Sequence, residues 1–89
     1  MDSTGPLRLL LMGRPECGLC EEFEAELVAH PDFTSIHLDQ VDVDSNADWQ
    51  RRYGLRIPVL LDDWSEVVCE GRFDAASFET WLGDVRRGR

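Results

Sequence analysis

Two cysteines separated by two residues, Cys17 and Cys20, lie where one predicted element ends and the next begins. Residues 7–12 are almost all apolar, which is typical of a central strand covered on both faces. Apolar positions four apart then predict a helix over residues 18–29. A dithiol at such a turn can close a short-range disulfide, and the positive end of the helix dipole favours the thiolate of the first cysteine. Because the thiolate is the form that attacks disulfides, this junction predicts thiol–disulfide exchange.

The composition excludes several functional classes. The chain has 89 residues, which predicts one domain over residues 1–89. It carries 18 acidic and 9 basic side chains, all of the latter arginine, and its formal net charge is -9. Such a surface repels phosphate groups, so we expect no binding to nucleic acid. No apolar run approaches the roughly 20 residues that span a bilayer, and the polar, acidic N-terminus lacks the features of a secretory signal. We therefore expect a cytoplasmic monomer that does not bind membranes.

The cysteine pair also has two alternative interpretations, a chance pair and half of a zinc site. In the cytosol, neighbouring cysteines are more often redox-active or metal-binding than structural. Zinc would need two more ligands, for which the candidates are Cys69, His30 and His37. Each has a simpler interpretation: Cys69 as a buried side chain of a strand, His30 as a helix-end residue and His37 as an outward-facing strand residue. We therefore expect no metal site.

The remaining elements follow from periodicity and turn signals. Strands are predicted over residues 36–43, 59–61 and 66–70, and helices over residues 46–53 and 75–87. A helix between the first two strands makes them parallel, whereas a short turn pairs the last two as a hairpin. The order β-α-β-α-β-β-α predicts an α/β three-layer sandwich with a four-stranded mixed sheet.

Several local details are also predicted. Ser45 and Asp48 resemble a capping box, Gly54 lies where a left-handed helix cap would fall, and Asp74 is placed to cap the last helix. The expected buried side chains are Leu19, Phe23 and Leu27 in the first helix and Phe78, Trp81, Leu82 and Val85 in the last.

Three motifs in a fixed order carry a resemblance to a known family. They are Cys17-Gly18-Leu19-Cys20 after the first strand, Ile57-Pro58 at the head of the third strand, and the turn from Gly71 to Asp74 before the last helix. Over nearly its whole length the chain resembles a glutaredoxin-like protein of the thioredoxin superfamily. Residues 14–21 are especially similar to small bacterial glutaredoxin-like proteins. The resemblance implies a thioredoxin-like fold.

The resemblance also implies roles for individual residues. Cys17 would match the nucleophilic cysteine of the family and Cys20 the resolving cysteine. Pro58 would match the family's cis-proline, and the backbone of Ile57 would then pair with a bound peptide or glutathione. The other residues that would bind substrate or glutathione are the cation Arg14 and, at the amino end of glutathione, Gly71 and Asp74.

The function that the resemblance implies is thiol–disulfide oxidoreduction on protein disulfides or glutathione mixed disulfides. No cofactor would be bound; glutathione would be a co-substrate, and glutathione or a reductase would donate the electrons. The chain departs from the family pattern at Gly18-Leu19, where proline and an aromatic residue are common, and in the glutamates Glu16, Glu21 and Glu22 around the dithiol. These departures motivate a second hypothesis, a binding module with little redox turnover. A third is a reductase of one small substrate such as an inorganic oxyanion.

Overall fold

The computed structural model describes residues 7–88, so the polar N-terminal residues 1–6 lie outside the described residues. Within this range, four strands and three α-helices are present in the predicted order. Their bounds are β1 Leu7–Gly13, α1 Gly18–Ala29, β2 Ile36–Asp42, α2 Ala47–Tyr53, β3 Val59–Leu61, β4 Val67–Glu70 and α3 Ala75–Arg86. Short 3₁₀ turns at Pro31–Ser35 and Val43–Ser45 flank β2, and neither was predicted.

The four strands form one mixed sheet in the order β2-β1-β3-β4. β1 is parallel to β2, with Leu7 opposite Ile36, and antiparallel to β3, with Met12 opposite Val59. β3 and β4 form the predicted antiparallel hairpin. This confirms the predicted α/β architecture and the central position of the first apolar strand. It also brings the end of β1 and the beginning of β3 to one edge of the sheet.

Two clusters of buried side chains lie on opposite faces of the sheet. The larger one joins residues of the sheet to Phe23 and Leu27 of α1 and to Phe78 and Leu82 of α3. The smaller one joins the other sheet face to Tyr53 of α2. The helices therefore form the two outer layers, α1 and α3 on one side and α2 on the other, as the predicted three-layer sandwich requires.

Three local predictions were wrong. Leu19 is 47% exposed, because the buried stripe of α1 runs through Cys20, Phe23 and Leu27 instead. The side chain that caps α2 belongs to Asn46, which accepts from the Trp49 N–H, and not to Ser45.

Gly54 is the third. It has the right-handed helical angles φ -55 and ψ -32, so it does not form a left-handed cap. A Cβ at this position would lie 2.5 Å from the carbonyl oxygen of Gln50. The glycine is therefore required by a close backbone contact rather than by a positive φ.

Within residues 7–88, no helix has the length and apolar character needed to cross a membrane.

Candidate functional site

The first helix places the two cysteines at its N-terminus. Cys17 is the N-cap residue of α1, with extended backbone angles, and its Sγ accepts a hydrogen bond of 3.2 Å from the Cys20 N–H. The two side chains form a disulfide across one helical turn, with their Cα atoms 5.2 Å apart. Cys17 is partly exposed, whereas Cys20 is buried. Cys17 is therefore the more accessible of the two cysteines, and Cys20 lies one helical turn further in.

The end of β1 supports the inner cysteine. A Cβ at Gly13 would lie 3.1 Å from Cys20 Sγ, so the missing side chain leaves the space that this sulfur occupies. The turn that follows contains Glu16 with φ 60, an unusual backbone conformation for a residue other than glycine. Strand end and turn together direct the chain into α1 at Cys17.

The loop that contains Ile57 and Pro58, here called the proline loop, lies at the same edge of the sheet as the end of β1. Because Met12 is opposite Val59, the next residues outward are Gly13 and Pro58. The Ile57–Pro58 peptide bond is cis, as the family resemblance implied. The carbonyl of Pro58 accepts a hydrogen bond of 2.8 Å from the Gly71 N–H, which brings the turn after β4 beside this loop. Ile57 is only half-buried.

Arg14, the predicted cation, is bound by another side chain of the protein. Its Nε and Nη2 donate to the two carboxylate oxygens of Asp44, at 2.7 and 2.9 Å. Its Nη1 donates to the carbonyl of Gly54 at 3.4 Å. The hydrogen bond with Asp44 raises the pKa of Arg14, and the same bond lowers the pKa of Asp44. The pair thus links the turn after β1 to the segments on either side of α2.

A second arginine beside the proline loop is also paired. Arg56 donates to both carboxylate oxygens of Glu70, at 3.1 and 2.6 Å, and its guanidinium lies 5.2 Å from the centre of the Tyr53 ring. The hydrogen bond from Arg56 lowers the pKa of Glu70. This pair connects the residue before Ile57 to the end of β4.

The remaining predicted binding residues have structural partners. Gly71 has φ 79, a conformation that glycine tolerates best. Asp74 is the N-cap of α3, where it accepts from the Ala76 N–H at 3.1 Å and the Ser77 hydroxyl at 2.8 Å. The hydroxyl hydrogen bond is the main cause that lowers the pKa of Asp74. The predicted cap is therefore present, and any contact of Asp74 with a ligand stays a prediction.

The third cysteine and the two histidines lie apart from the dithiol. Cys69 is a free, buried thiol of β4, and burial raises its pKa. His30 ends α1 as predicted and binds Glu79 of α3 at 2.8 Å, while His37 lies exposed in β2. Within residues 7–88 no three His, Cys, Asp or Glu side chains are grouped so as to hold a metal ion. The alternative of a zinc site therefore finds no ligand set in this part of the chain.

A surface cavity of about 310 Å³ opens beside the inner cysteine. Cys20 and Arg14 contribute to its wall together with α1 and the end of β2. Its polar lining is mainly acidic, with Glu21, Glu24 and Asp42. The space next to the dithiol therefore favours groups without a negative charge.

Sequence reasoning missed the partners of both arginines. In the sequence, Asp44 is only the residue after the predicted strand over residues 36–43, and Glu70 is only the last residue of the strand predicted over residues 66–70. Arg14 and Asp44 are 30 positions apart, so no local pattern indicates their contact. The one signal in the sequence is the charge balance. Because carboxylates are twice as numerous as guanidinium groups, each arginine is expected to be paired with a carboxylate.

Comparison with known proteins gives a matching family and similar solved structures. The glutaredoxin-like domain family (DUF836) matches residues 8–83. A structural-genomics target protein from X. campestris, XcR50, solved by X-ray crystallography, is similar at 32% identity over 85% of this chain and 96% of its own, with a TM-score of 0.66. Protein Ne2328 from Nitrosomonas europaea, solved by NMR in solution, is similar at 27% identity over 91% and 96%, with a TM-score of 0.77. No curated protein matches the sequence. With its fold, its cysteine pair and the match over residues 8–83, the chain belongs to the glutaredoxin-like domain family.

Proposed function

We propose that the protein is a thiol–disulfide oxidoreductase that reduces protein disulfides or glutathione mixed disulfides through Cys17 and Cys20. The observation that carries the proposal is the disulfide between these residues at the N-terminus of α1. The partial exposure of Cys17 and the burial of Cys20 support different roles for the two sulfurs. Membership of a glutaredoxin-like family supports the same reaction class.

The reaction begins with the reduced dithiol. The helix N-terminus favours the Cys17 thiolate, which attacks one sulfur of the substrate disulfide and releases the other as a thiolate. The Cys20 thiolate then attacks Cys17 Sγ, which closes the protein disulfide and releases the second substrate thiolate. Two electrons pass from the protein to the substrate. Glutathione or a reductase returns them to the Cys17–Cys20 disulfide.

The residues around the dithiol are proposed to hold the substrate. The half-buried Ile57 next to Pro58 offers its backbone to an extended peptide or to glutathione. Gly71 is hydrogen-bonded to Pro58, which supports a place for its turn in the same site. Asp74 follows in that turn as the proposed contact for an amino group. Arg14 is the proposed cation, although Asp44 already binds it.

Insulin reduction tests the proposal directly. We expect Cys17→Ser to abolish turnover, because the attacking sulfur is lost. We expect Cys20→Ser to stop after the first step and to accumulate a mixed disulfide detectable by mass spectrometry. Cys69→Ser is the matched control, since this thiol is buried in β4 away from the pair, and it should reduce insulin at the wild-type rate.

The same assay separates the main alternative. Glutamates beside the dithiol oppose a thiolate, which favours a binding module that has kept the fold without efficient turnover. Equal rates for wild type and Cys17→Ser would leave only that alternative. Equilibration of the dithiol in glutathione redox buffers would then show whether the pair is a reductant or an oxidant in the cytosol.

A further inference from the structure

We propose that Asp44 determines which disulfides the dithiol accepts, by withdrawing Arg14 from anionic substrates. On this view the site prefers neutral or cationic disulfides to glutathione disulfide. The inference rests on the proposed function and specifies its substrate class. It depends on the contacts of the Arg14 guanidinium group.

Three of the five N–H donors of the Arg14 guanidinium form hydrogen bonds within the protein. One edge, Nε with Nη2, binds both oxygens of Asp44, the paired geometry in which arginine otherwise recognises a substrate carboxylate. On the other side Nη1 donates to the carbonyl of Gly54. A ligand carboxylate could therefore form the paired geometry with Nε and Nη2 only by displacing an internal carboxylate of the same charge.

Asp44 is itself held in place. Its Oδ1 accepts a hydrogen bond of 3.1 Å from Gln50, and its backbone N–H donates at 2.8 Å to Asp42. The carboxylate is thus fixed by α2 and by the 3₁₀ turn before it. Rotation of the Asp44 side chain away from Arg14 would break its hydrogen bond with Gln50.

The other charged groups described around the dithiol do not compensate for the pairing of Arg14 with Asp44. Arg56, the cation next to Ile57, is paired with Glu70 in the same two-bond manner. The cavity beside Cys20 has Glu21 and Glu24 in its wall. Arg72, which follows Gly71, remains exposed, so we expect discrimination against anions by a moderate factor rather than their exclusion.

An alternative role for Asp44, orienting Arg14 toward a substrate, predicts the opposite change in the rate with anionic disulfides. If Asp44 served to orient Arg14 toward a bound carboxylate, its removal would weaken reaction with anionic disulfides. If it withdraws Arg14, its removal strengthens that reaction. The sign of the change therefore decides between the two.

The test uses three small disulfides of different charge: glutathione disulfide, which is anionic, hydroxyethyl disulfide, which is neutral, and cystamine, which is cationic. Rates of oxidation of the reduced dithiol are measured with each by quenching and mass spectrometry. For Asp44→Asn we expect the rate ratio of glutathione disulfide to cystamine to rise about fivefold, the factor of a strong exposed ion pair. Asp44→Ala, which removes both acceptor oxygens, should raise it at least as far. High salt should reduce the change.

Asp84→Asn is the matched control for loss of one negative charge. Asp84 is also paired with an arginine, Arg87, at 2.6 Å. It lies in the last turn of α3, where Arg86 contacts Ser35 just before β2, at the end of the sheet opposite the dithiol. We expect the rate ratio to stay at the wild-type value in this variant.

A double variant tests whether the effect runs through Arg14. Asp44→Asn with Arg14→Gln should return the ratio to near the wild-type value, because no free cation remains. A ratio that stays high in the double variant, or that falls or stays unchanged in Asp44→Asn while the wild type reacts, overturns the inference and leaves the proposed function standing. A wild-type dithiol that reacts with none of the three disulfides overturns both.

Discussion

The pKa values of three exposed carboxylates depend on hydrogen bonds that form only in the folded protein. The pKa values of Asp44, Glu70 and Asp74 are all lowered, the first two by an arginine and the third by the Ser77 hydroxyl. A carboxyl group whose pKa is lower in the native state than in the unfolded state stabilises the fold at pH values where it is ionised in both states. That contribution is complete above its unfolded pKa of about 4 and is lost as the pH falls through the lower native value.

Substitution of Asp74 can separate the effect of its ionised carboxylate on stability from the effect of the helix cap. Asparagine caps helices about as well as aspartate but does not ionise. We expect Asp74→Asn to be slightly less stable than wild type at neutral pH, because it lacks the negative charge at the N-terminus of α3. The difference should shrink as the pH falls below about 4. Urea unfolding of both proteins at a series of pH values measures it, and a difference that does not vary with pH would contradict this explanation.

At the scale of elements, the connection from α2 to β3 depends on one glycine. Gly54 donates its N–H to the Gln50 carbonyl at 3.0 Å, and its own carbonyl accepts from Arg14. A Cβ here would lie 2.5 Å from the Gln50 oxygen, which is backbone and cannot rotate away. The segment also leads into Ile57 and Pro58. Its position therefore affects both the packing of α2 and the proposed substrate loop.

We expect Gly54→Ala to lower the free energy of unfolding by about 1–3 kcal/mol, because the added methyl group forces a backbone shift. Gly83→Ala is the control. Gly83 lies within α3, and the nearest atom to its added Cβ is the flexible Arg87 Nη1 at 3.5 Å. That substitution should stabilise the protein by about 0.5–1 kcal/mol. Urea unfolding compares the two, and equal stabilities would show that the Gln50 contact does not constrain residue 54.

The elements themselves were predictable because their signals are local. The bounds of α1 and β3 match the prediction, since the first follows a cysteine cap and ends before Pro31, and the second is a short apolar run after Pro58. The three-layer arrangement follows from the element order. Leu19 shows the limit of a four-residue spacing, because Phe23 and Leu27 also fit a buried stripe that begins at Cys20.

The site was predictable only in part, for a physical reason. The cysteine pair and the Asp74 cap are short local motifs, whereas the cis bond at Pro58 was implied only by the family resemblance. The pairing of Arg14 with Asp44 depends on how β1 and β2 place their ends, and it exists only once the sheet has formed. Long-range ion pairs of this kind leave no local pattern, although they determine the charge that a substrate meets.

At the scale of the whole molecule, one buried carboxylate joins the hairpin to the covering helix. Asp62, at the end of β3, is buried. Its Oδ1 accepts from the backbone N–H groups of Trp64 at 2.8 Å and Glu66 at 3.0 Å, which shapes the β3–β4 turn. Its Oδ2 accepts from the indole N–H of Trp81 in α3 at 3.2 Å. Asp62 therefore links the β3–β4 turn to α3 by hydrogen bonds, in addition to the apolar contacts of the core.

We expect Asp62→Ala to destabilise the protein by about 2–4 kcal/mol, because hydrogen bonds to a charged acceptor are lost and the buried indole N–H is left without this acceptor. Asp62→Asn should cost less, since its oxygen can still accept from the turn while its amide group faces the indole donor. Asp63→Ala is the control, because the adjacent carboxylate is exposed, and it should change stability by less than about 0.5 kcal/mol. Urea unfolding followed by tryptophan fluorescence measures all three.

Since Asp62 lies on the hairpin side of α3 rather than at the dithiol, folded Asp62→Asn should keep its exchange rate with hydroxyethyl disulfide. A loss of exchange without a loss of stability would instead place Asp62 in the redox site.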